Sequence, residues 1–188
     1  MSRLYRYGGI AASIILILFG AGAIYTGIDG RSEVRDTIKR EQIVGTPDMH
    51  ESIANKPVQT GADAKHFADG IRKHALEATD GQTYAQMGRY LDKAGKPTND
   101  DKLAAVNPKT QQPVENPLRN VWVTATSLST ALNTSFFAEQ VANFAIVMGI
   151  ALLLVGIGLL ILTLRVLRQV EEGVTAHPRT QGRVAVQS

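Results

Sequence analysis

Two stretches of this chain carry no charged side chain: Tyr7 to Ile28, 22 residues, and Gln140 to Leu164, 25 residues. A bilayer hydrocarbon core about 30 Å thick takes roughly 20 apolar helical residues. Both runs are long enough, and each is read as a transmembrane helix. The polar stretch between them, Asp29 to Glu139, is too short of large apolar residues to suggest a substantial core of its own. The fold expected is all-α: a two-helix transmembrane hairpin with a small helical extracytoplasmic cap. Its divisions are a cytoplasmic N-terminus over 1–7, a first span over 8–28, and an extracytoplasmic helical loop region over 29–139. A second span over 140–164 and a cytoplasmic tail over 165–188, disordered from Gly173, complete it.

Charge placement orients the hairpin. Lys and Arg are enriched on cytoplasmic flanks. No Lys or Arg lies between Asn120 and Glu139, whereas Arg165, Arg168, Arg179 and Arg183 follow the second span. That puts the C-terminus in the cytoplasm and, with two spans, the N-terminus too. The first span taken alone argues the other way, because Arg31, Arg35, Lys39 and Arg40 follow it. The second span has the cleaner asymmetry, and long loops translocate largely regardless of charge. A secretory signal competes for the first run, since Ala21-Gly22-Ala23 fits a small-residue cleavage site. The apolar run continues beyond it to Ile28, and Tyr7 and Tyr25 bracket it as interfacial aromatics do. Retention of both spans in a bacterial plasma membrane is the reading adopted.

The lipid bilayer is therefore the first partner expected. A membrane-protein partner could dock on small-residue helix faces, because Ala23 and Gly27, like Ala145 and Gly149, stand four apart. Nucleic acid is not expected: the loop holds 14 Lys/Arg against 15 Asp/Glu, with no basic face. The chain has no cysteine, which excludes disulfides, thiolate metal sites and a cysteine nucleophile.

Within the loop, Asp29 to Glu41 extends the first helix, with Val34 and Ile38 four apart and Asp36 four before Arg40. Thr46-Pro47 marks a turn. Ala62 to Thr79 is a helix with Phe67, Ile71, His74 and Ala78 on one face. Asp80-Gly81 stops it. Thr83 and Gln86 form a capping box for a further helix carrying Tyr84, Met87 and Leu91. Ala94 to Asn116 is proline-rich loop, with a short turn over Asp100 to Val106. Asn116-Pro117 caps a helix that runs into the second span. Residues Thr124 to Ser135 are rich in Ser, Thr and Asn, which disfavour helix interiors, so a strand competes there.

The chemistry expected is sparse. His50-Glu51 opens like the zinc motif H-E-x-x-H but reaches Ala54 where the second histidine belongs. His66 and His74 are eight apart, about 12 Å along a helix, too far to share a metal. His74, on the apolar stripe, is read as a hydrogen-bonded structural histidine. Gly20-x-Gly22 and Gly156-x-Gly158 lie inside the spans and lack the third glycine of a nucleotide loop. No catalytic, cofactor-binding or metal-ligating residue is assigned, and no cofactor.

Arg40–Met49 (REQIVGTPDM), His74–Ala85 (HALEATDGQTYA) and the Ser/Thr-rich approach to a Gly-rich final span resemble a group of uncharacterised two-span actinobacterial membrane proteins. The similarity covers Ile28 to Arg165, with a longer insert between Leu91 and Val121 here. Some members of that group are labelled aromatic ring-opening dioxygenases. Such a label implies a non-haem iron site of histidines and a carboxylate, and these residues offer no matching set. The function expected is a non-enzymatic accessory or scaffolding subunit of a cell-envelope complex. The alternatives are an extracytoplasmic small-molecule or metal sensor around His50, His66 and His74, and an enzyme of unrecognised type.

Overall fold

The computed structural model describes Ser2–Thr175, with side chains from Tyr7 to Arg165. Its elements are α1 (Ser2–Arg40), α2 (Gly61–Ala78), the two-residue strands β1 (Tyr90–Leu91) and β2 (Pro97–Thr98), and α3 (Pro117–Thr175). The all-α expectation holds, and α1 and α3 are each long and apolar enough to cross a membrane. The chain forms two compact units. One joins the residues up to Ile28 with those from Phe144 on; the other is Asp29–Asn143.

In the first unit α1 and α3 run antiparallel. Gly9 faces Thr163, Ile17 faces Gly156, and Gly20 faces Gly149 and Leu153. Small residues recur every seven positions: Ser13, Gly20 and Gly27 on α1, and Gly149, Gly156 and Thr163 on α3, all buried except the half-buried Thr163. A strict seven-residue row stays on one side of a helix that supercoils gently to the left. A Cβ added at Gly149 would stand 2.7 Å from the Gly20 carbonyl oxygen, so the two backbones touch. Close packing of this kind is what associates helices in a bilayer, where lipid tails as apolar as leucine leave no hydrophobic gain. The Ser13 hydroxyl is satisfied within its own helix, donating to the Gly9 carbonyl at 2.7 Å.

Gly149, on one of the small-residue faces read from the sequence, packs against α1 of the same chain. Ala23 and Ala145 are only half-buried, and the telling spacing is seven rather than four. Gly8, Gly22 and Gly158 have no neighbour at the position a Cβ would take.

In the second unit the extension of α1 supplies Val34 and Ile38, which pack with Ile43, Val58, Ala64, Phe67 and Leu132. The predicted Asp36–Arg40 pair does not form. Asp36 meets Lys39 at 3.1 Å, and Arg40 donates to the Thr37 hydroxyl. Helix α2 begins one residue earlier and ends one earlier than expected. Thr60 caps it, accepting from the Asp63 N–H while Asp63 accepts from the Thr60 N–H. Its buried face is Gly61, Ala64, Ala68 and Ala75. Asp80 and Gly81 both take positive φ and end it as foreseen, the Gly81 N–H donating to the Leu76 carbonyl at 2.7 Å.

The helix predicted from Thr83 is one turn only. Thr83 and Gln86 do bond, but Met87 turns inward and Gly88 packs on the backbone of Pro97 and Thr98, where a Cβ would stand 2.6 Å from an amide nitrogen. Tyr90–Leu91 then pairs antiparallel with Pro97–Thr98. The stretch Asp92-Lys-Ala-Gly95-Lys carries a hairpin signal that the proline content obscures: glycine at a left-handed position (φ 79°) after a turn. Asn116 caps α3 through the Leu118 N–H, and its amide donates to the Gly88 carbonyl at 2.9 Å.

The Ser/Thr/Asn-rich stretch of α3 is helical throughout. Asn133, Thr134 and Ser135 each donate to the carbonyl four residues back, and Ser129 donates to the Ala68 carbonyl of α2. Their polar groups serve the helix rather than compete with it. The helix also continues through Thr175, so the opening of the tail expected to be disordered is helical. The rest of that expectation falls outside the described residues.

Candidate functional site

The histidines lie along α2, and a short strip of the preceding loop decides their environment. The strip Asp48-Met49-His50 runs against α2 in the opposite direction, one strip residue to each helical turn. Asp48 meets His74, Met49 fills the notch over Gly70, and His50 lies on His66. Helical positions 66, 70 and 74 share one face because four residues make just over a turn. Gly70 is the size requirement: a Cβ there would stand 3.0–3.2 Å from three atoms of the Met49 side chain.

His74 is hydrogen-bonded, as read from the sequence, but it is not packed into the core. Its side chain is 39% exposed and its Nε2 stands 2.6 Å from Asp48 Oδ2. The Asp48 carboxylate also accepts from the Thr46 hydroxyl at 2.7 Å and has Lys73 Nζ at 3.5 Å. The His74 bond first, and the Thr46 hydroxyl second, hold the Asp48 carboxyl well below the usual carboxylate range. His74, the partner of Asp48, also lines a concavity.

That concavity is an open groove of about 630 Å³. Ile71, Ala75 and Ala78 of α2 and Val121, Ala125 and Leu128 of α3 give it apolar walls, with His74, Asn120 and Thr124 as the polar points. Its size falls within the ordinary range of small-ligand pockets, roughly 300–1,000 Å³. His74 Nε2 is directed to Asp48, outside the groove lining. A second groove of about 230 Å³ includes Arg72 and Trp122, the guanidinium carbon 5.4 Å from the ring centre. Trp122 is thereby half-buried, whereas Phe137 is 67% exposed.

His50 and His66 stack face to face, ring centres 3.9 Å apart and 8° from parallel. Ring-nitrogen lone pairs lie in the ring plane, so two parallel rings direct theirs side by side rather than toward one metal. Among the described residues no three His, Asp or Glu side chains gather into a metal-sized cluster. The separation of His66 from His74 is the one their spacing requires: each has its own partner on the strip.

The most buried ionic group is one the sequence reading passed over. Glu139 is 4% exposed and joins three helices. Its Oε1 accepts from Arg35 Nε at 2.7 Å, with Arg35 Nη2 at 2.6 Å and Arg31 Nε at 3.4 Å. Its Oε2 accepts from the Gly61 N–H, the first amide of α2. A helix N-terminus attracts negative charge, and this carboxylate satisfies one of its free donors. Gly61 is obligatory here, since a Cβ would stand 2.8 Å from Oε2 and 2.9 Å from the Phe136 Cα. No local spacing in the sequence links residues 31, 35, 61 and 139. Position alone, a carboxylate at the very edge of a charge-free run, was the available hint.

A scan against protein-family models and searches of curated proteins and of solved structures find no match to this chain.

Proposed function

We propose that the chain is a two-span protein of a bacterial plasma membrane, both termini cytoplasmic, acting as a non-enzymatic accessory or scaffolding subunit of a cell-envelope complex. The observation that carries this reading is the groove. An apolar, open concavity is lined by α3, and the same continuous helix is long and apolar enough to cross a membrane. Val121 and Leu128 on its wall are exposed apolar side chains that a docked partner would cover. The internal seam supports retention of the first span, because Gly20 and Ser13 are buried where α1 meets α3. Membership of the actinobacterial two-span group belongs to the same proposal and rests on the sequence blocks already quoted.

A photo-crosslinking residue at Leu128, followed by native purification in mild detergent and mass spectrometry, tests the reading. A stoichiometric protein adduct supports it; a lone, uncrosslinked chain contradicts it. Alkaline phosphatase fusions test the orientation, with activity expected at Asn107 and none after Ser188. A sensor is the second reading, and the His74–Asp48 pair on the groove wall favours it. A purified monomer that carries a small molecule or metal would select the sensor over the scaffold.

A further inference from the structure

We infer that the strip Asp48-Met49-His50 is an acid-released strap on α2, hinged at Asp48 and freed at His50. The two ends respond to protons in opposite senses. At the Asp48 end, a proton on His74 turns the 2.6 Å contact into an ion pair, so acid keeps this end closed. At the His50 end, the two imidazoles are in face-to-face contact at 3.9 Å with no room for water between them. Charging both sets like charges against each other across that contact. Histidine is the side chain whose ordinary charge change falls between pH 5 and 8.

The Ser52 backbone N–H lies 3.2 Å from His50 Nδ1 and the Ser52 hydroxyl 2.8 Å from the same nitrogen, so this turn offers the ring a partner in either protonation state and the stack alone carries the release. Between the ends, Met49 sits in the Gly70 notch by packing alone.

The charged groups around the strap do not cancel this. Lys65 pairs with Asp69 at 3.1 Å, and Lys73 lies between Asp48 and Glu77. Lys56 donates to the Glu51 carbonyl and Arg72 lies over Trp122. Of the acidic groups on the strip's own segment, Asp48 is engaged by His74, and Glu51, next to His50, is exposed to solvent. His74 also lines the groove, so the hinge end of the strap is the end that touches the candidate site.

The test is nuclear magnetic resonance of the full chain in detergent micelles, with the amides of Met49, Ser52 and Gly70 followed from pH 7.5 to 5. All three should move together in the parent. His66→Phe keeps a flat ring but removes one of the two charges, and should reduce the Met49 and Gly70 changes at least several-fold. His50→Phe is the mirror variant and covers the case in which the first does not fold. Asp48→Asn should leave the His50 end responsive and loosen the hinge, so that Met49 is less fixed at neutral pH. If the Met49 and Gly70 amides stay still across this range in the parent, or move as far in both phenylalanine variants as in the parent, the strap is not acid-released.

Discussion

The two units of this molecule hold themselves together by different means. In the unit from the apolar runs, the contact is made by what is absent: side chains are trimmed to Gly and Ser at a seven-residue spacing until backbones meet. In Asp29–Asn143 the contacts are added side chains: a small core around Ile38, Val58 and Ala64, a capping box, a histidine–carboxylate pair and a buried glutamate. On the proposed membrane placement, solvent explains the contrast. Where lipid is the surroundings, burying a leucine against a leucine gains little over leaving it in the tails, and only closer approach improves packing. Where water surrounds the chain, apolar burial is favourable, at about 25 cal/mol per Å². This unit has little large apolar surface to bury, so directed polar contacts position its three helices.

The comparison breaks most sharply at Gly149. Gly149→Leu drives a side chain into the Gly20 carbonyl and Ile24, and overpacking of this kind costs about 1–3 kcal/mol, more when backbone must move. The melting temperature in detergent should fall by many degrees, and a Gly158→Leu control, whose position faces nothing, should melt like the parent. Equal melting of the two variants would mean that the seam does not hold the hairpin.

The next effect is expected at Glu139. Removing one partner of a buried ion pair costs about 3–5 kcal/mol, and the partial exposure of Arg31 and Arg35 lowers this to roughly 2. Glu139→Ala should weaken the start of α2, read as faster hydrogen exchange at Gly61 to Ala64. Glu139→Gln should recover part of the protection, because an amide oxygen can still accept from the Gly61 N–H. An Ala variant with parental protection would remove Glu139 from the account of how α2 is placed.

The smallest effect concerns acid. Asp48 is held below the ordinary carboxylate range in the folded protein, so its contribution is complete above about pH 4 and is lost as pH falls further. Between pH 5 and pH 3 the parent should lose more thermal stability than Asp48→Asn, which has no charge to lose. Parallel curves would show that the exposed His74 contact contributes nothing to folding.

What was legible in the sequence follows the range of the physics. Helices α1 and α3, the Asp80-Gly81 stop and the Asn116-Pro117 start are set by neighbours within a few residues, and each was read close to where it lies. The Thr83 helix failed because a correct local signal, the Thr83–Gln86 bond, was outweighed by Gly88 lying flat on a distant backbone. His74 was correctly given a hydrogen bond and wrongly given a core, since Asp48 is 26 positions away and no period connects them. The groove and the Glu139 cluster were out of reach for the same reason. Both join residues more than 40 positions apart, and their members look unremarkable one at a time.

The Glu139 junction also imposes an order on events. During synthesis, α1 and the whole of Gly61–Ala78 leave the ribosome before residue 139 exists, and chains begin folding from the N-terminal side. Until then Arg31 and Arg35 have no shared carboxylate and the first amide of α2 has no acceptor. The part between the spans therefore cannot reach its final arrangement while the chain is half-made. The residue that closes it lies directly beside the second apolar run, so emergence of that run and completion of the polar unit are nearly simultaneous steps.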